Sequence, residues 1–236
     1  NRYKQYFNNN RWRFYNRSTT VNFVKADIET WSADNFHEAI ADNFLKSIKD
    51  AELLQKIIVE KFDAIIIKGN ARNLRPTLFD LLVHEALDYF KSGEYYITKP
   101  TYAFELNDIK TLSPANEFIN QVFYTKDSLS HQWISLQLYK QLLRFHTSKT
   151  NKNAFVDADI ERIQWVNTHL TNVPEKDAQY ETALQWLTLQ TNFCERTSQV
   201  YFLLADRQNN KGNLYQPFGD TTTRYNKVKA LAQHLN

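Results

Sequence analysis

Asp34-Asn35-Phe36-His37-Glu38-Ala39-Ile40-Ala41-Asp42-Asn43-Phe44-Leu45-Lys46-Ser47-Ile48-Lys49 carries Phe36, Ile40, Phe44 and Ile48 at intervals of four. Side chains four apart stack on one face of a helix. In a strand the same face would also carry Glu38, Asp42 and Lys46, so only a helix gathers these apolar groups into a clean stripe.

Upstream of this helix, residues 3–7 read as the end of another helix whose start is missing, with Asn8-Asn9-Asn10 at its exit. Arg11-Trp12-Arg13-Phe14-Tyr15-Asn16-Arg17 follows, aromatic and basic by turns. Downstream, Asp50 is placed to cap a short helix through Ile58, and residues 62–68 form an apolar patch that reads as a helical turn or a short strand, ending at Gly69. Pro76 suits the first turn of the next helix, where its missing N–H costs nothing, and Leu78, Leu82, Ala86 and Phe90 continue the stripe until Gly93. Residues 94–112 lack the helical period. Their Tyr95, Tyr96, Tyr102 and Phe104 suggest a long loop pinned to the body by aromatics. Ser113-Pro114 starts a helix, and a long one covers about residues 128–147, with Trp133, Leu136, Tyr139 and Leu143 in period.

The polar break over residues 147–153 separates a helical region with long aromatic-rich loops, residues 1–150, from a helical-hairpin region, residues 151–236, whether or not the two are continuous. Helices are expected near 154–170, 176–192, 196–210 and 221–235. Val200, Leu203, Leu204 and Ala205, then Gly212-Asn213, then Tyr225, Val228, Ala230 and Leu231, give large-small-large packing that resembles a tetratricopeptide-type repeat. Pro217 and an insertion interrupt that spacing. The expected fold class is all-α, an irregular helical array in the first half and antiparallel hairpins resembling tetratricopeptide-type repeats in the second.

Composition agrees with this reading. Four Gly and five Pro in 236 residues are too few for the tight connections of a many-stranded β-sandwich. Sixteen Phe, thirteen Tyr and five Trp argue for a packed core. A formal charge of +3 is near balance, so neither a nucleic-acid binder nor an anionic-membrane binder is expected. No run of about 18 apolar residues appears, so the segment does not read as membrane-spanning. The chain begins at Asn1 and contains no Met, which reads as a processed or excised segment of a larger protein. Cys194 is the only cysteine, which excludes an internal disulfide and a multi-cysteine zinc site.

Several constellations hint at chemistry and fall short of it. His84-Glu85-Ala86-Leu87-Asp88 approaches a zinc-protease helix, but Asp88 stands where the second imidazole belongs, and a polar helix face explains the same residues. Asp157-Ala158-Asp159-Ile160-Glu161 alternates carboxylates as calcium loops do, without the Gly and distal Glu of that loop. Acidic groups in a first helical turn complement the macrodipole equally well. Cys194 could act as a nucleophile only if a His and an Asn or Asp converged on it, and a structural thiol is the plainer reading. The isolated glycines at 69, 93, 212 and 219 permit no phosphate loop and no Gly-x-Ser-x-Gly elbow. No catalytic residue, cofactor or metal is expected. The remaining candidate is an interaction surface of Arg11, Trp12, Arg13, Tyr15 and Arg17. Interleaved cations and rings could clamp a phosphate chain, although charge balance favours rings buried against helices with guanidiniums paired at the rim.

Asn10-Arg11-Trp12-Arg13-Phe14-Tyr15-Asn16-Arg17 resembles a stretch near the start of the very large bacterial alpha-2-macroglobulin-like proteins. Leu74-Arg75-Pro76-Thr77-Leu78-Phe79-Asp80, Tyr102-Ala103-Phe104-Glu105-Leu106-Asn107-Asp108, Thr125-Lys126-Asp127-Ser128-Leu129 and Leu142-Leu143-Arg144-Phe145-His146 resemble the same region, in unchanged order. The resemblance covers roughly residues 8–210. It implies the helical N-terminal region of a periplasmic or cell-surface protein of the proteinase-trapping superfamily, with other domains of the parent or protein partners as its contacts. It does not imply that this piece traps anything. Cys194-Glu195-Arg196-Thr197 departs from the superfamily's Cys-x-Glu-Gln thioester motif, so Cys194 is not read as a thioester cysteine. A free-standing helical-repeat module that binds a peptide or protein is the alternative.

Overall fold

A computed structural model of the chain describes residues 1–14, 23–67, 69, 72–93, 100–171, 173–191 and 194–213. Among these residues the chain is all-α, with ten α-helices, four single 3-10 turns and no strand. The helix expected near 221–235, with its share of the repeat pattern, lies outside the described residues, as do Tyr15, Arg17, Tyr95, Tyr96 and Phe193.

The chain forms two compact units that interleave in sequence. Unit 1 comprises residues 1–105 and 123–138, and unit 2 comprises residues 106–122 and 139–236. In unit 1, α1 (Arg2–Asn9) has a cap of its own, because the Asn1 side chain accepts from the N–H groups of Tyr3 and Lys4 at 3.2 and 3.4 Å. The short α2 (Arg11–Phe14) follows. Helix α3 (Ala33–Ser47) opens on a capping box, with the Asn35 N–H donating to Ser32 Oγ at 3.3 Å and the Ser32 N–H donating to Asn35 Oδ1 at 3.0 Å. Its stripe of Phe36, Ile40 and Phe44, with Ile48 just past its end, is buried as the spacing predicts. Phe36 packs against Phe7, Phe14 and Trp31, with ring centroids 5.6, 4.6 and 5.0 Å away.

Asp50 precedes the short α4 (Ala51–Leu54) without a side-chain cap bond. The apolar patch beyond it is neither core nor strand. It is a 3-10 turn over Val59–Phe62 followed by turns, and Ile65 and Ile67 point into solvent. Helix α5 (Leu78–Lys91) starts two residues after Pro76, which lies outside its first turn, because Thr77 is its cap, reciprocated by Asp80 at 2.9 Å. Its buried face is Phe79, Val83, Ala86, Leu87 and Phe90, while Leu78 and Leu82 are only half-buried, so the stripe is turned by one residue from the one expected. Helix α7 (His131–Thr147) contributes its residues through Leu138 to unit 1, where the Trp133 indole N–H donates to the Phe123 carbonyl at 2.8 Å.

Unit 2 begins in the loop that precedes α6 (Ala115–Phe118). Of the aromatics expected to pin this stretch, Tyr102 is exposed and Phe104 is half-buried among the described residues, whereas the aliphatic Leu106 and Leu112 are buried. Helices α8 (Asn153–His169), α9 (Lys176–Gln190) and α10 (Thr197–Asn213) follow. Residues 147–153 form the connection between α7 and α8 within this unit. Contacts at both ends show that α9 and α10 run antiparallel. Thr197 Oγ1 donates to the Thr191 carbonyl at 2.7 Å at one end, and Arg207 and Lys211 reach Glu181 at 3.3 and 2.5 Å near the other. Helix α8 also packs on α9 and is buried almost all round, as a helix central to its unit must be. No helix among the described residues is long and apolar enough to cross a membrane.

Candidate functional site

The Arg11–Phe14 segment is a single helical turn, and positions two apart on it point to opposite sides. Phe14 is fully buried beside Phe7 and Phe36, while Trp12 is 77% exposed. Burial of all three aromatics, expected from charge balance, is therefore corrected for Trp12. Arg13 pairs with Glu29 at 2.8 Å, and Arg11 donates from Nε and Nη2 to Asn8 Oδ1 at 3.3 and 3.1 Å. Glu29 also accepts from the Tyr6 hydroxyl, and that bond pushes the Tyr6 phenol above its ordinary value. The described part of the surface is thus one protruding indole between two guanidiniums held in place by neighbours. Tyr15 and Arg17 lie outside the described residues.

His84 is half-buried, while Glu85 and Asp88 are exposed on α5, with Lys91 3.8 Å from Asp88. Among the described residues no three His, Cys, Asp or Glu side chains stand together as metal ligands would. The acidic run of α8 is not an exposed first turn. Asp157 and Asp159 are buried, the first paired with Arg196 at 2.6 Å and the second with Arg162 at 2.7 Å. Cys194 is half-buried, its thiol donating to Asn153 Oδ1 at 2.8 Å, and the same oxygen accepts from the Arg196 N–H at 3.0 Å.

Sequence reading missed Arg162. Its side chain is 0% exposed, and its Nη1 and Nη2 donate to the carbonyls of Thr111 and Ser113 at 2.6 and 3.0 Å. The guanidinium also lies 4.2 Å from the Phe118 ring centroid. Burial pushes the Asp159 carboxyl above its ordinary value, and Arg162 pulls the other way. The nearest sequence signal was an Asp and an Arg three apart on a helix, a spacing that surface pairs share.

Unit 2 also holds a pocket of about 500 Å³, lined by Ile119, Arg144, Lys152, Phe155 and Trp186 among others. Three separate chain segments contribute to it. No protein-family model, no curated protein and no solved structure matches this chain.

Proposed function

We propose that this chain is a non-catalytic helical scaffold and interaction region of a bacterial, cell-envelope alpha-2-macroglobulin-like protein, with the trapping apparatus outside the chain. The observation that carries the reading is the run of five family-like strings in unchanged order between Asn10 and His146. Supporting a scaffold, the acidic run, Arg162 and Cys194 all bond to neighbouring side chains or backbone and fasten helices together. Exposed Trp12, flanked by Arg11 and Arg13, gives the scaffold an anchor of the kind protein interfaces favour, together with Tyr15 and Arg17. Its contacts are other domains of the parent or separate proteins, its location is the periplasm or cell surface, and no nucleic acid, cofactor or metal takes part.

One observation favours the second reading, a free-standing module with tetratricopeptide-type hairpins that holds a peptide: α9 and α10 form an antiparallel pair, and α8 packs on α9. The gene beyond the codon for Asn236 decides between them. Macroglobulin-like β-sandwich domains there support the scaffold, and a stop codon or an unrelated domain supports the module. Affinity capture from envelope extract, with Trp12→Ala as the control, tests the surface. Capture of the same partners by parent and variant would remove Trp12 from it.

A further inference from the structure

The pocket of about 500 Å³ in unit 2 has the size of a small-ligand site, for which roughly 300–1,000 Å³ is usual. Ile119, Phe155 and Trp186 make apolar walls, and Asn116, Asn120 and Gln190 bring amides that both donate and accept. Its charged lining residues are Arg144 and Lys152, with no carboxylate among the residues that line it. Arg144 donates through Nη2 to the Ile119 carbonyl at 2.8 Å, and Lys152 donates through Nζ to the Thr147 carbonyl at 2.6 Å. One hydrogen bond each holds the cation at the pocket, and Lys152 Nζ also lies 5.8 Å from the Phe155 ring centroid, while the other N–H groups make no hydrogen bond to the described residues.

Capping is part of their role, since Thr147 closes α7. The C-terminus of a long helix carries roughly half a negative charge, so the ends of α7 and α9 together offset about one of the two positive charges. About one remains, facing apolar and amide walls. An anion joined to an apolar body complements that combination.

We infer that this pocket binds the free C-terminus of a peptide or protein ending in a large apolar residue, its carboxylate on Arg144 and Lys152 and its side chain against Phe155 and Trp186. The planar guanidinium fork matches a carboxylate. Asn116, Asn120 and Gln190 match the peptide groups next to the chain end, which a free or lipid-borne phosphate lacks. Binding belongs to unit 2 whichever parent the chain comes from, so its failure leaves the family reading untouched.

Isothermal calorimetry on the full 236-residue chain tests this with Ac-Gly-Gly-Phe, its C-terminal amide and phenyl phosphate. The free acid is expected to bind saturably. Amidation, Arg144→Gln and Lys152→Gln are each expected to weaken binding about tenfold or more, with Arg144→Lys intermediate. Thermal midpoints of the variants show whether the fold is kept, and Lys152→Gln with Arg144→Lys keep the test decisive if Arg144→Gln disturbs it. Absence of saturable binding of the acid up to about 10 mM overturns the inference. So does affinity that amidation and both glutamine variants leave within about twofold, or tighter binding of phenyl phosphate than of the acid.

Discussion

Replacing Arg162 with Met keeps side-chain length and apolar bulk while deleting every polar bond the guanidinium makes. Those bonds are Nε to Asp159 at 2.7 Å and Nη1 and Nη2 to the Thr111 and Ser113 carbonyls at 2.6 and 3.0 Å. Each stranded carbonyl costs about 1–3 kcal/mol, and breaking a buried ion pair by removing one partner costs about 3–5 kcal/mol. These costs overlap, because the carboxylate can take up a proton instead of staying charged, so the expected loss is about 4 kcal/mol near pH 7. For a chain of this size that lowers the midpoint of melting by roughly 8–16 °C. The sign of the pH dependence follows from Asp159. Burial already raises its carboxyl, and losing Arg162 removes the opposing pull, so in the variant its folded value rises further above the unfolded one. A group with a raised folded value stabilises the fold as pH falls through that value, so the deficit of the variant shrinks between about pH 7 and about pH 5. Urea unfolding followed by far-ultraviolet circular dichroism at both values measures it. The pair Asp159→Leu with Arg162→Met should be more stable than Arg162→Met alone, since the orphaned carboxylate is gone. A loss below about 1 kcal/mol, or an equal loss at both pH values, would refute the assignment of Arg162 as the bond that fastens α8 to the segment before α6.

His131 sits beside Tyr89 and Phe90, and burial, with a smaller push from His37, brings its imidazole down to about 4. Between about pH 6.5 and about pH 4 the unfolded chain takes a proton that the folded one refuses, so stability falls with pH by up to about 3 kcal/mol. His131→Phe should flatten that part of the stability curve, and an unchanged slope would assign it elsewhere. Phe36→Ala should cost about 3–5 kcal/mol in thermal melts because the ring is fully buried among Phe7, Phe14 and Trp31, whereas Trp12→Ala should stay within about 0.5 kcal/mol. The reverse order of losses would invert the assignment of core and surface. Thr77→Ala removes half of the α5 capping box and should cost about 1 kcal/mol; an unaltered melting midpoint would show that Asp80 alone suffices at that end.

Where one face of a helix is apolar and its flanks are charged, the sequence admits one solution, which is why α3 was legible down to its stripe. Helix α5 is apolar at 78, 79, 81, 82, 83, 86, 87 and 90, wide enough for two adjacent stripes, and only its packing partners choose Phe79 and Val83 over Leu78 and Leu82. Arg162 escaped detection for a related reason. Charge alone marks Asp157, Asp159 and Arg162 as water-facing, and only the surroundings of α8 in unit 2, which bury it almost all round, deny them solvent. The pocket draws on residues 116–120, 144–155 and 186–191, so no linear motif could have announced it. The arginine–aromatic segment contains its own answer once it is known to be helical. Positions two apart on a helix point about 200° from one another, so Trp12 and Phe14 cannot enter the same core. The alternation that suggests a phosphate clamp in an extended chain instead divides the segment into one buried ring and one exposed indole.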